Sequence, residues 1–226
     1  MSLWIKICGN TSLEDAQLAA DAGADAVGFV FASSPRQITP QQVAGIAPHL
    51  PAELEKIGVF VDASFTEIAS VVEQCELTGV QLHSDVQETV AARLRDRFGE
   101  KLRILQVIHF GEGATDGLRQ AAANPNLDGV LVDSRTATVV GGTGIAFDWR
   151  AAREQIFGGQ HGLKLIAAGG LNPNNVAEAI AMLEPWGVDV VTGVEAAPGR
   201  KDPEKVRTFV AHARKAAAQD TAHSVH

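Results

Sequence analysis

Residues 103–133, RILQVIHFGEGATDGLRQAAANPNLDGVLVD, decide the fold. An apolar run, Arg103–His109, is followed by a helix-like stretch, Thr115–Ala123, and then by a second apolar run, Gly129–Asp133. Neither run alternates strictly between apolar and polar residues. Both read as short strands covered on two faces, as strands of a parallel sheet are. The same alternation extends in both directions. Trp4–Cys8, Ala26–Phe31, Lys56–Val61 and Val80–His83 precede this unit, and Leu163–Ala168 and Val188–Val191 follow it. Between them the spacing predicts helices over Thr11–Ala22, Pro40–Ala47, Phe65–Cys75, Val86–Phe98, Trp149–Phe157, Asn174–Leu183 and Pro203–Ala218. Thr11 or Ser12 caps the first helix, Glu14 and Asp15 sit in its first turn, and Gly23 follows its end. Pro40 and Pro203 suit a first helical position. Eight strands then alternate with eight helices, and 226 residues over eight units is about 28 per unit. A doubly wound open sheet would stop at about five or six strands. The fold class is therefore α/β, a single-domain (β/α)8 TIM barrel over residues 1–218, with a frayed tail over 219–226.

Composition removes several functions. Apolar residues make up 46% of the chain and charged residues 20%, enough to build a full core. The net charge is −8 without a basic cluster, so nucleic acid is not a partner. No uncharged apolar run approaches the roughly 18 residues of a membrane span. The first residues also lack a secretory pattern, and a cytoplasmic protein is expected. Cys8 and Cys75 are far apart and form no CxxC, which argues against a disulfide scaffold or a zinc site and fits a reducing compartment.

In such a barrel the site lies where strands run into βα loops. That rim collects Cys8-Gly9-Asn10, Ser34-Pro35-Arg36, Asp62, His83, His109, Asp133-Ser134, Gly169-Gly170 and Thr192-Gly193-Val194-Glu195. The opposite strand ends show ordinary turn residues. The asymmetry points to an enzyme. Three glycine-bearing loops share the rim: Gly141-Gly142-Thr143-Gly144, Gly169-Gly170 and Thr192-Gly193. Backbone N–H groups at Gly142, Gly144, Gly169, Gly170, Thr192 and Gly193 suit a phosphate. The spacing is neither a P-loop nor GxGxxG, so a phosphorylated small metabolite is expected rather than a nucleotide cofactor. Cys75 reads as a small buried hydrophobe. Cys8 stands at the rim, and Lys6, on the same face of its strand, is expected to lower the thiol pKa. Asp133 is expected half-buried at the rim. A thiol and a carboxyl across one mouth suit general acid–base chemistry that moves only protons. Asp62, His83, His109 and Asp133 offer a competing divalent-metal reading, but no HxH or HxxxH spacing supports it, and no metal is assigned.

Lys6-Ile7-Cys8-Gly9-Asn10-Thr11, Gly28-Phe29-Val30-Phe31 with Ser34-Pro35-Arg36, and Val80-Gln81-Leu82-His83 resemble the phosphoribosylanthranilate isomerase family. So do Val132-Asp133, Gly141-Gly142-Thr143-Gly144 with Phe147-Asp148-Trp149, Ala168-Gly169-Gly170-Leu171, and Gly193-Val194-Glu195 with Pro198-Gly199 and Lys201-Asp202. Their order and spacing cover essentially the whole chain. The resemblance implies a cofactor-free Amadori rearrangement in tryptophan biosynthesis, from N-(5-phosphoribosyl)anthranilate to 1-(2-carboxyphenylamino)-1-deoxyribulose 5-phosphate. It implies Cys8 as base, Asp133 as acid, Arg36 near the anthranilate carboxylate, and His83 as a substrate contact. Arg36, in the strand-two loop, is expected across the mouth from the phosphate loops. Ser84 stands where the family often has Gly, and Val191-Thr192 where it often has two serines. Alternatives are a sugar-phosphate epimerase, or a bifunctional histidine/tryptophan isomerase, which would carry an aspartate at the place of Cys8. A binding protein that has lost its chemistry would lack one of the acid–base pair. Monomer and homodimer are both compatible with the sequence.

Overall fold

The apolar runs are strands, and in the computed structural model they pair in sequence order. The structure describes residues 3–83, 88–133, 148–159 and 162–223. The strands are β1 (Trp4–Ile7), β2 (Ala26–Val30), β3 (Glu55–Val61), β4 (Gly79–His83), β5 (Arg103–His109), β6 (Gly129–Asp133), β7 (Lys164–Ala168) and β8 (Gly187–Val190). They form one closed parallel barrel, with β8 returning to β1. Between them run α1 (Leu13–Asp21), α2 (Pro40–Ile46), α3 (Phe65–Gln74), α4 (Glu88–Phe98), α5 (Ala114–Ala123), α6 (Trp149–Ala152), α7 (Val176–Leu183) and, after β8, α8 (Pro203–His223). Each strand differs from its sequence-based range by at most a terminal residue or two.

Local chemistry sets the helix starts. Ser12 caps α1 by accepting the Asp15 N–H, and Thr39 and Ser64 head reciprocal capping boxes with Gln42 and Glu67. Three differences from the sequence reading stand out. The helix after β6 tightens only as far as Ala152. Gly158 N–H then bonds to Arg153 O, an i to i−5 link that makes Arg153–Phe157 a π-helical turn. The last helix runs past Ala218 to His223. The strand-eight loop folds into a small hairpin, β9 (Glu195–Ala197) with β10 (Arg200–Lys201).

Two layers of apolar side chains hold the barrel. Trp4, Ala26, Ile57, Leu105, Val107, Leu131, Ile166 and Ala168 fill the inside. A larger shell, including Ile5, Phe29, Val43, Ile104, Val130, Ile180 and Phe209, packs strands against helices. Among the described residues no helix is long and apolar enough to cross a membrane.

Candidate active site

Cys8 follows β1 directly, and its N–H donates to Val190 O of β8 at 2.9 Å. Asn10 then turns the chain back: its side-chain amide donates to Ile7 O (2.8 Å) and Gly28 O (3.2 Å). The thiol rests on Gly28 of β2. A Cβ at that glycine would stand 2.4 Å from Cys8 Sγ, so the missing side chain is the space the sulfur occupies. Cys8 is buried.

Inside the barrel, Lys6 Nζ meets Asp189 Oδ1 at 2.6 Å. Lys6 pulls the thiol pKa down as expected, but the net shift is upward. Burial removes the water that would solvate a thiolate and pushes the thiol up; Lys6 pulls it down, Asp189 pushes it up again, and Lys201 pulls down. Lys6 itself is driven down by burial. The Asp189 carboxylate and the Cys8 sulfur outweigh that and hold its pKa above the ordinary value.

Across the mouth Asp133 closes β6, half-buried as the sequence suggested. Its register partners are His109 on β5 and Ala168 on β7. His83 closes β4, and its ring centroid lies 6.1 Å from that of His109. Gln81 Nε2 is 3.4 Å from His83 Nε2. Burial, and then His109, hold the His83 pKa below its usual value against the pull of Asp133, so the imidazole is neutral at pH 7. His83, His109 and Asp133 therefore form a polar row at the ends of consecutive strands, facing Cys8 over the opening.

The loops expected to receive a phosphate come together in part. Gly169 and Gly170 have φ of +80° and +66°, a conformation that disfavours any side chain. The Asn172 and Asn175 amides both donate to Gly170 O, and Asn175 Oδ1 accepts the Asn172 N–H, which braces the turn into α7. Gly193 touches this loop: a Cβ there would sit 1.9 Å from Leu171 O. Thr192 and Gly193 lie in a short 3-10 turn, with Thr192 exposed and Gly193 half-buried. Gly142 and Gly144 fall outside the described residues, as do Ser134 and Ser84.

Arg36 is placed differently from its expectation. It is not across the mouth from the strand-eight loop but joined to it, because β2 and β8 both flank β1. Its Nε and Nη2 donate to Glu195 Oε1 and Oε2 at 2.8 and 2.6 Å. Its stem covers Gly9, where a Cβ would lie 3.0 Å from Arg36 Cδ. Donation to Glu195, against desolvation, raises the guanidinium pKa further.

Three charged residues of this network had no role in the sequence reading. Asp189 is the partner of Lys6. Lys201 in β10 is buried and donates to Cys8 O at 2.5 Å, with Glu195 Oε1 at 3.4 Å. Glu195 also accepts the Gly199 N–H at 3.2 Å. Burial alone would raise the Glu195 pKa, but the Arg36 bond, Lys201 and Gly199 hold it below the ordinary carboxylate value. The signal available was that Glu195 and Lys201 stand inside the motifs that carry the family resemblance.

Residues 5–212 match the family described as N-(5'phosphoribosyl)anthranilate (PRA) isomerase. A relative from Trichlorobacter lovleyi named N-(5'-phosphoribosyl)anthranilate isomerase is 40% identical over 213 residues, which is 94% of this chain and 98% of the relative. The crystal structure of phosphoribosyl anthranilate isomerase from Thermotoga maritima superposes with a TM-score of 0.80 at 33% identity, covering 94% of this chain and 99% of that one. Another phosphoribosyl anthranilate isomerase structure holds reduced 1-(o-carboxyphenylamino)-1-deoxyribulose 5-phosphate, and matches with a TM-score of 0.78 at 31% identity over 94% of this chain and 99% of that chain. With the family matched from β1 into α8 and the barrel shared at full length, this chain belongs to the N-(5'-phosphoribosyl)anthranilate isomerase family.

Proposed function

We propose that Asp133 and Cys8 are the acid and base with which this chain isomerises N-(5'-phosphoribosyl)anthranilate in tryptophan biosynthesis. The observation that carries the assignment is their placement: a buried thiol after β1 and a half-buried carboxyl at the end of β6 face one mouth, with the glycine loops on the same rim. The Asp133 carboxyl gives its proton to the furanose ring oxygen. The C1'–O bond breaks as the nitrogen lone pair forms C=N, and an open-chain Schiff base results. The Cys8 thiolate then takes the C2' proton, and the electron pair left behind forms the C1'=C2' bond of an enolamine. Tautomerisation to the ketone completes 1-(2-carboxyphenylamino)-1-deoxyribulose 5-phosphate. Asp133 gives one proton and Cys8 takes one, so substrate and product are isomers; loss of the Cys8 proton and reprotonation of Asp133 reset the pair without a second reactant.

Binding follows from the same rim. The backbone at Gly169, Gly170, Thr192 and Gly193, with Gly142 and Gly144 from the strand-six loop, receives the phosphate. Arg36 meets the anthranilate carboxylate, and neutral His83 hydrogen-bonds the sugar between them.

The test is Cys8→Ala and Asp133→Asn, each assayed by the loss of phosphoribosylanthranilate fluorescence. Positioned proton transfer contributes about 10²–10⁴-fold, and kcat falls by at least that in each variant, while the reduced product analogue still binds. A Cys8→Ala enzyme within a few-fold of the parent would remove Cys8 from the role of base.

A further inference from the structure

The assignment of Arg36 to the anthranilate carboxylate leaves open how its guanidinium is oriented. We infer that Glu195 is the positioning residue for substrate-carboxylate recognition: it takes the side-on edge of Arg36 and so presents the end-on edge to the anthranilate. The inference rests on the proposed Arg36 contact and adds a residue to it.

A guanidinium has five N–H donors in a fixed plane. Glu195 engages Nε and one N–H of Nη2 in a two-bond fork. The end-on pair, Nη1 with the second N–H of Nη2, is the fork of matching geometry that remains. Glu195 is itself fixed from three sides, by Arg36, by the Gly199 N–H at 3.2 Å and by Lys201 Nζ at 3.4 Å. Its side chain is only 3% exposed, against 18% for Arg36, so the carboxylate is the anchored partner and the guanidinium the presented one. The Asp15 carboxylate accepts the Lys201 backbone N–H at 3.1 Å and lies near the Lys201 ammonium as well, so it is the open edge of the Arg36 guanidinium, rather than a missing charge, that a substrate carboxylate meets. Lys201 also donates to Cys8 O, which ties the same cluster to the backbone that carries the thiol.

A structural role for Glu195 in holding the β9–β10 hairpin would weaken every ligand alike. A positioning role weakens only ligands with a carboxylate. The experiment measures inhibition constants for the reduced product analogue and for its phenylamino counterpart without the carboxyl group, in the parent, Glu195→Gln, Glu195→Asp and Arg36→Lys. Glu195→Asp keeps the charge but withdraws the oxygens, and so covers the case in which Glu195→Gln does not fold. A lost charged hydrogen bond corresponds to roughly tenfold or more in affinity. The expected result is that the preference for the carboxylated ligand shrinks by about tenfold in the Glu195 variants, with the phenylamino ligand unchanged within about twofold. Equal weakening of both ligands overturns the inference in favour of a purely structural role. A preference lost in Arg36→Lys but intact in both Glu195 variants overturns it while leaving the Arg36 contact standing. A preference intact in Arg36→Lys overturns the contact and the inference together.

Discussion

Lys6 and Asp189 form an ion pair at 2.6 Å inside the barrel, as register partners on β1 and β8, with side-chain exposures of 0% and 7%. Lys6 points to the same face of its strand as Cys8, so the pair lies under the thiol. Removing one partner of a buried pair leaves an uncompensated charge and costs about 3–5 kcal/mol. Lys6→Met and Asp189→Asn are both expected to lose stability of that order in denaturant unfolding. Their effects on the thiol have opposite signs. Lys6 pulls the Cys8 pKa down and Asp189 pushes it up. The acid limb of the kcat/KM profile, which reports the free base, should move to higher pH in Lys6→Met and to lower pH in Asp189→Asn. Limbs that move together, or not at all, would sever the pair from the base.

Gly28 is expected to be the most sensitive glycine for chemistry as opposed to binding. Its added Cβ would be 2.4 Å from Cys8 Sγ and 3.1 Å from Cys8 Cβ. Gly28→Ala should push the thiol off its position and lower kcat by about tenfold or more. Overpacking of this kind costs about 1–3 kcal/mol of stability, so a folded variant is expected. Phosphate inhibition should be unchanged, because the proposed phosphate loops follow β6, β7 and β8 whereas Gly28 lies on β2. A Gly28→Ala enzyme with full kcat would mean that the sulfur can move without consequence.

Much of this was legible in the chain, and the parts that were not share a physical cause. Arg103–His109 and Gly129–Asp133 have the ranges that their apolar runs suggested, because strands buried on both faces leave an uninterrupted signal. The placement of Cys8, Asp133 and His83 at one rim was legible because each follows or ends such a run. The β9–β10 hairpin was not foreseen: strands of three and two residues carry no periodicity. The charge network was also hidden. Lys6 meets a partner 183 residues away and Lys201 a carbonyl 193 residues away, and no local pattern marks such pairs. The net direction of the thiol shift was hidden for the same reason, although the pull of Lys6 was legible. It depends on burial and on Asp189, neither of which is visible from Lys6 and Cys8 alone.

A substitution at Gly193 should separate the proposed phosphate binding from catalysis. A methyl group there would overlap Leu171 O at 1.9 Å and approach Asn172 Cβ at 2.9 Å, so the strand-seven and strand-eight loops would have to part. Gly193→Ala is expected to raise KM by about tenfold or more and to weaken inhibition by inorganic phosphate, with a smaller fall in kcat. Gly45 in α2 is the control. Nothing lies within 4 Å of a Cβ there, and Gly45→Ala should stabilise by about 0.5–1 kcal/mol without kinetic effect. Phosphate inhibition that survives Gly193→Ala would move the anion site away from these loops.

The opposite end of the barrel should behave as a stability element. Trp4 and Trp186 stack with centroids 5.3 Å apart. The Arg103 guanidinium lies 5.8 Å from the first ring and 5.2 Å from the second, and Lys164 Nζ lies 4.7 Å from Trp186. Glu55 fastens the group, accepting from Arg103 Nε and Nη2 at 2.6 and 2.8 Å and from Trp4 Nε1 at 3.2 Å. Trp4, Glu55, Arg103 and Lys164 are the first residues of β1, β3, β5 and β7, so alternate strands contribute one layer, as barrel interiors require. That layer closes the N-terminal face, remote from the loops that carry the chemistry. Deleting a core aromatic costs about 3–5 kcal/mol, and the partly exposed Trp186 should fall below that range, at about 2–3 kcal/mol. Trp186→Ala is therefore expected to lower Tm while kcat and KM at 25 °C stay within about twofold of the parent. Arg103→Ala should act in the same direction, because it releases Glu55 and both ring contacts. A tenfold change in either kinetic constant, in an enzyme still folded at the assay temperature, would show that this layer reaches the mouth through the barrel interior. The separation of stability from chemistry along the barrel axis would then be wrong.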